Sequence, residues 1–235
     1  MKRLIFITSA ILFMNCFLSA QKSEPVTVKA GDRVIDYFPF TERYLYPRFT
    51  EGKVIFDNGK AIPNLLNYNV LYGEMEFIQL ADTLYISDKK NINSIIIAQD
   101  TFYYYNGYMQ VVRNGSFKVY LKQLVEIKDI IKKGAFGTAN RAAASDSYSY
   151  LLTGPRSFNL TLDEDMVLQK TAEFFFSISG YDFIPLNRKN IIKSLPGKEN
   201  VINDYLKSNK IHFDSTSDIL KLSGFLNNLL SKKTN

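Results

Sequence analysis

The sequence predicts a mainly β fold of the α+β type: an antiparallel β meander or open, barrel-like sheet with two or three C-terminal helices. Asn-Gly pairs at 58–59, 106–107 and 114–115 separate β-prone runs, and Asn-Gly suits tight hairpin turns because both turn residues need positive φ. Turn signals recur every ~8–12 residues across 52–128. After Asn187 the apolar residues adopt helical spacing instead.

The pattern within the predicted strands indicates a sheet that is covered on both sides or curled. Only 116–122 alternates cleanly between apolar and polar residues, whereas 101–105 is aromatic on both faces. Such strands are typical of sheets without a solvated face. The short connections predict antiparallel neighbours, and therefore a meander.

Three helical segments are predicted at the C-terminal end. Asn187 can cap a short helix that stops before Pro196-Gly197. Residues 198–208 place Val201 among the apolar residues of one stripe. A start at 215–218 resembles a capping box and leads into a third helix. We interpret the apolar face of that helix as core.

Residues 1–20 have the pattern of a secretory signal peptide, with Lys2-Arg3 before an apolar run and Ala20 before the expected cleavage site. Cys16 raises lipidation as an alternative, although Asn15 departs from the usual lipoprotein pattern. Cleavage leaves a mature chain without cysteine, which excludes disulfides and thiol chemistry. We expect a periplasmic or outer-membrane-associated protein whose mature chain has no transmembrane helix.

The mature chain is predicted to divide into an antiparallel β domain (21–133), a flexible loop (134–156) and a β hairpin followed by helices (157–235). The loop is rich in Gly, Ala, Ser and Tyr. We interpret it as a mobile linker. Alternatively, it becomes ordered on a partner, with Tyr148 and Tyr150 as anchors.

Aromatic residues on one hairpin provide the candidate partner-binding surface. Tyrosines there can stack on sugar rings or anchor a protein, or they can pack into a core with two sides. The formal net charge is only +6, and no basic stripe interleaves with the aromatics, so we expect no nucleic-acid partner. The candidates are Phe102, Tyr103, Tyr104, Tyr105 and Tyr108.

The chain offers little for catalysis, and we expect no catalytic residue, no metal site and no cofactor. The only histidine, His212, falls between two predicted helices and is interpreted as a surface or packing residue. Glu74 and Glu76 share one strand face, which we interpret as exposed rather than as a pair across a cleft. The acidic residues 163–165 are interpreted as a solvated turn. The sequence contains no phosphate-binding loop or dinucleotide fingerprint.

Three segments carry a resemblance to other proteins: 67–78, then 100–104 with Gly107-Tyr108, and 182–190. With the helices that follow, they resemble a group of secreted envelope proteins of gram-negative bacteria. The resemblance implies a secreted bacterial protein with a β domain and a helical tail, and it assigns no activity and no site.

The leading functional hypothesis is a non-enzymatic, secreted cell-envelope protein that binds another macromolecule, an envelope protein or a glycan. One alternative is a carrier that holds a small apolar ligand in a curved β sheet. The other is a carboxylate-based hydrolase. A filled sheet interior favours the first hypothesis, an open apolar cavity the second, and a cleft with facing acids the third.

Overall fold

The structure, a computed structural model, describes residues 23–133, 139–143, 162–178, 180 and 182–231. Over these residues it is mainly antiparallel β with helices at the C-terminal end, which confirms the predicted fold class. The predicted signal peptide and the tyrosines at 148 and 150 lie outside the described residues.

All strands pair antiparallel. They are β1 (Val26–Val28), β2 (Thr50–Phe56), β3 (Ala61–Asn69), β4 (Glu74–Gln79), β5 (Asp82–Tyr85), β6 (Ile92–Ile97), β7 (Asp100–Tyr104), β8 (Tyr108–Arg113), β9 (Lys118–Lys133), β10 (Ala139–Ala143), β11 (Asp165–Ser177) and β12 (Ile184–Pro185). The helices are α1 (Phe40–Arg43), α2 (Arg188–Ser194), α3 (Glu199–Ser208) and α4 (Thr216–Ser231), with a 3-10 turn at Val34–Tyr37.

The predicted meander is present, but it is interrupted once. The spatial order is β1-β11-β9-β8-β7-β6-β2-β3-β4-β5, so β6 pairs with β2 and not with β5. Residues 86–91, called the crossover below, carry the chain from one edge of the sheet back to β2. Two backbone hydrogen bonds hold it, from Ile86 N to Met75 O (2.9 Å) and from Asp57 N to Asn91 O (3.0 Å).

The sheet curls around an apolar interior. Beyond the end of β3, Val70 O accepts a hydrogen bond from Val125 N on β9 (3.0 Å), and Tyr68 donates its hydroxyl to Gln123 O (2.6 Å). These bonds bring β3 and β9 together although four strands separate them in the sheet. The interior core consists of Val54, Leu66, Tyr68, Val70, Met75, Ile92, Ile95, Ile97, Phe102 and Tyr108.

The C-terminal helices cover β9 and β11, as predicted for α4. Ile219, Leu222 and Leu226 of α4 are buried against Phe117 and Phe176. Asn187 caps α2 by accepting from Asn190 N (2.9 Å), and Ser215 Oγ accepts from Asp218 N at the start of α4 (3.3 Å). Val201, predicted on the apolar stripe of α3, is exposed instead, whereas Ile202 and Leu206 face the core.

One sheet joins the parts that the sequence places on either side of 134–156. β11 pairs with β9 from Asp165 to Ser177, and β1 adds to the outer side of β11. Cleavage between β9 and β11 would therefore leave two pieces that share a long strand pairing and a buried core.

Candidate functional site

An apolar pocket of about 320 Å³ lies between β2, β3, β4 and the crossover. The strand side chains that face it are apolar except for one asparagine, and the crossover adds one isoleucine and two polar residues. The lining consists of Val54, Phe56, Ile62, Asn64, Leu66, Phe77, Tyr85, Ile86, Ser87, Asp88 and Ile92.

Strand register explains why one side of the pocket is apolar. Val54 pairs with Ile62 and Leu66 pairs with Phe77, and directly opposed residues in an antiparallel pair project to the same face. Leu66 is fully buried, whereas Ile62 nearer the start of β3 is 40% exposed. The pocket therefore runs from the buried interior towards solvent.

An ion pair fixes the crossover against the sheet. Lys89 Nζ lies 2.7 Å from Glu74 Oε1 and 2.6 Å from Oε2, and 5.1 Å and 5.8 Å from the ring centroids of Tyr104 and Tyr108. One ammonium group on the crossover thus contacts both β4 and the β7–β8 hairpin. Burial raises the pKa of Glu74, and the contact with Lys89 opposes that rise.

Glu74 and Glu76 are both buried, so the expectation that they form an exposed strand face is wrong. The segment between α1 and β2 covers this face of β4: Tyr44 donates its hydroxyl to Glu76 (2.6 Å), and Asn69 Nδ2 donates to the same carboxylate (2.9 Å). Burial raises the pKa of Glu76, and these two hydrogen bonds oppose the rise. Neither glutamate lines the apolar pocket, and each carboxylate is bound to its own partners.

The burial of Glu76 predicts a pH dependence that Glu76→Gln removes. A raised pKa means that the folded protein holds the proton more tightly than the unfolded chain, so this stabilisation is present at low pH and is lost as the pH rises through the folded pKa. The free energy of unfolding of the wild type relative to Glu76→Gln should therefore increase on acidification, by less than ~1.4 kcal/mol per pH unit. Urea denaturation between neutral pH and about pH 4.5 measures it.

Tyr44→Phe provides a matched test of the same site. It removes one hydrogen bond that favours the ionised carboxylate, and should therefore enlarge the pH dependence that Glu76→Gln abolishes. A relative stability that decreases on acidification would contradict the assignment of burial as the dominant cause.

Comparisons with protein-family models, curated protein sequences and solved structures find no match.

The five hairpin aromatics predicted as a partner-binding surface do not form one surface. Phe102 and Tyr108 are buried in the interior core. Tyr103 projects to the opposite face, where its ring lies 6.1 Å from Tyr120. Tyr104 and Tyr105 are exposed, because they stand at the hairpin tip beyond the covered part of β7. Alternation along the strand separates the aromatics that the sequence places side by side.

Phe183 covers part of this aromatic group. It stacks on Tyr105 with ring centroids 5.1 Å apart and an interplanar angle of 24°, and it meets Tyr120 edge-on at 4.7 Å. Phe183 immediately precedes β12, which pairs with β11. Tyr104 and Tyr105 are 39% and 54% exposed, so they are the two of the five hairpin aromatics that are most accessible to a partner.

The other residues considered for chemistry lie apart from the pocket. His212 is exposed between α3 and α4, as predicted, and its backbone N–H donates to Asp218 (3.2 Å). Asp165 is buried rather than part of a solvated turn, because it accepts from Lys29 Nζ and Ala30 N. Within the described ranges, no group of three or more His, Cys, Asp or Glu residues could hold a metal ion, and no helix there is long and apolar enough to cross a membrane.

Sequence reasoning did not identify the pocket. Its walls come from the start of β3, the end of β4 and the crossover, which pack together only because β6 returns to β2. The sequence contains one relevant signal: Ile62 near the start of β3 and Phe77 in the second half of β4 are both apolar. That pattern shows where apolar side chains project, but it does not show what lies opposite them.

Proposed function

We propose that the protein is a non-enzymatic binding protein of the gram-negative cell envelope that holds a small apolar ligand in the pocket beside the crossover. The observation that carries the proposal is the pocket itself. Its volume of about 320 Å³ lies at the lower end of the ~300–1,000 Å³ typical of ligand sites. Its lining is mostly apolar with a few polar groups at one side, as such sites require.

The pocket supports the carrier hypothesis more directly than the binding of another macromolecule. The aromatic surface that motivated the macromolecular partner is largely used in packing, since Phe102 and Tyr108 are buried and Tyr103 contacts Tyr120. The apolar pocket, by contrast, is left open by the residues that the structure describes, and Ile62 in its lining is 40% exposed. Apolar surface that is left accessible in a concave site favours an apolar ligand.

Two further observations support a non-enzymatic role in the envelope. Glu74 is paired with Lys89, and Glu76 is hydrogen-bonded to Tyr44 and Asn69, so neither carboxylate is placed against the pocket as a general acid or base. The signal-peptide pattern of residues 1–20, together with the resemblance to secreted envelope proteins, supports export across the inner membrane.

Binding of a neutral apolar fluorophore tests the proposal. We expect N-phenyl-1-naphthylamine to bind with enhanced fluorescence at one site per chain, and Ile62→Asp to weaken its binding at least about tenfold, because a carboxylate resists burial against an apolar ligand. Ile62 is 40% exposed, so this substitution should leave the fold intact. Fluorescence titration and circular dichroism measure the two effects.

Leu65→Asp is the matched control. Leu65 is 43% exposed and lies on the same strand, but it does not line the pocket. The same chemical change there should alter the affinity for the fluorophore by less than about twofold. Equal weakening by both substitutions, or no binding by the wild type, would contradict the proposed site.

A further inference from the structure

The charge of the pocket lining points to the class of ligand. Among the described residues that line the pocket, Asp88 is the only one with a formal charge, and none is a lysine or an arginine. The neighbouring Lys89 is directed to Glu74, which neutralises its charge. A ligand in the pocket therefore lies beside an exposed aspartate, with no lysine or arginine among the described lining residues.

The position of the Asp88 carboxylate is fixed by the crossover itself. Its Oδ1 accepts from Lys90 N and its Oδ2 from Asn91 Nδ2, both at 3.2 Å. These bonds form a local turn of the kind that aspartate commonly makes with residues shortly after it. Ser87 and Asn64 also line the pocket, but their side chains can both donate and accept, and Asn64 Oδ1 already accepts from Leu65 N (2.8 Å). The discrimination between head groups therefore depends on the carboxylate of Asp88.

Resting on the proposed function, we infer that the pocket takes an alkyl ligand whose head group donates hydrogen bonds and carries no negative charge, an amine or alcohol rather than a carboxylate. Two unit charges of the same sign about 4 Å apart repel by ~1 kcal/mol even in water, and more beside an apolar wall. At ~30 Å³ per water-sized group, 320 Å³ accommodates about ten such groups. A chain of about ten carbons therefore matches the pocket.

The overall charge of the protein makes this inference specific. A formal net charge of +6 favours anions at long range. A preference for amines over carboxylates therefore has to arise locally, at Asp88. Such a preference is also opposite to that of a carrier for free fatty acids, which would need a cation near the mouth of its pocket.

Displacement of the bound fluorophore by decylamine, 1-decanol and decanoate, each below its aggregation concentration and at low salt, tests the inference. We expect decylamine to bind at least about fivefold more tightly than decanoate, with 1-decanol between them. Asp88→Asn keeps the acceptor for the Lys90 N–H and should reduce that ratio to less than about twofold. Asp82→Asn, at an exposed aspartate of β5 that does not line the pocket, should leave the ratio unchanged.

The possible results separate the two proposals. Fluorophore binding with decanoate equal to or tighter than decylamine, or a ratio that Asp88→Asn does not change, would overturn the inference about ligand class and leave the binding site standing. Failure of the fluorophore and of all three decyl compounds to bind the wild type would overturn the proposed function, and the ligand class with it.

Discussion

Replacement of Lys89 by methionine is expected to lower the free energy of unfolding by about 3–5 kcal/mol at neutral pH, the cost typical of removing one partner from a buried ion pair. The side chain of Glu74 is 6% exposed and that of Lys89 is 17% exposed. Without Lys89, the carboxylate remains in an environment that disfavours its charge. The same substitution also removes the ammonium contacts that join the crossover to Glu74 of β4 and to the rings of Tyr104 and Tyr108.

The pH dependence of this loss has a definite sign. Lys89 opposes the rise in the pKa of Glu74 that burial causes, so its removal raises that pKa further. A group whose pKa is higher in the folded protein than in the unfolded chain stabilises the fold at a pH below its pKa in the unfolded chain. This stabilisation is lost as the pH rises through its pKa in the folded protein. The loss in the free energy of unfolding caused by Lys89→Met should therefore be largest at neutral pH and should decrease on acidification.

Two further variants define the control. Lys90 is the exposed neighbour on the same crossover, and Lys90→Met should change stability by less than about 0.5 kcal/mol. Adding Glu74→Gln to Lys89→Met should recover most of the loss, because the uncompensated charge is then absent. The single variant Glu74→Gln completes the cycle, and urea denaturation of the wild type, Lys89→Met, Glu74→Gln and the double variant gives the coupling energy. A coupling close to zero would show that the ion pair does not hold the crossover.

The second large effect is expected at Gly52 of β2. A Cβ there would lie 2.4 Å from the carbonyl oxygen of Ile96 and 2.9 Å from Leu66 Cδ1. The first contact is with backbone, so a side-chain rotation cannot relieve it. Gly52→Ala should lower the free energy of unfolding by about 3 kcal/mol, the upper part of the usual range for overpacking. Because β2 pairs with β6 here, and because Leu66 lines the pocket, fluorophore binding should weaken as well.

The same substitution at Gly224 should have the opposite sign. Gly224 lies inside α4, and a Cβ there would meet only Arg113 Nη2 at 3.5 Å, an ordinary contact distance. Glycine is about 0.5–1 kcal/mol less favourable than alanine within a helix, so Gly224→Ala should stabilise the protein by about that amount. Thermal and chemical denaturation of both variants measure the pair. Equal effects at the two positions would contradict the role assigned to Gly52.

The features that the sequence determined are those set by neighbouring residues. Asn-Gly at 58–59, 106–107 and 114–115 places the hairpin turns where the structure has them, because those turns need residues that accept positive φ. Asn187 and Ser215 begin α2 and α4 by the hydrogen bonds that such residues make at helix starts. The apolar face of α4 likewise required only helical periodicity to be recognised as core.

Tertiary structure alone decided which strands that are not consecutive meet, and what the strand faces bury. Pairing of β6 with β2 depends on contacts far apart in sequence, which local turn chemistry does not specify. From that pairing follow the crossover, the Lys89–Glu74 ion pair and the pocket wall. From the sequence, Glu76 is expected to be exposed, because a strand with acidic side chains on one face is typical of a solvated strand. In the folded protein, the segment that contains Tyr44 covers that face. Whether a polar side chain is hydrated or is bound by a buried partner depends on the whole folded chain. The reason is that desolvation depends on every element packed around the group.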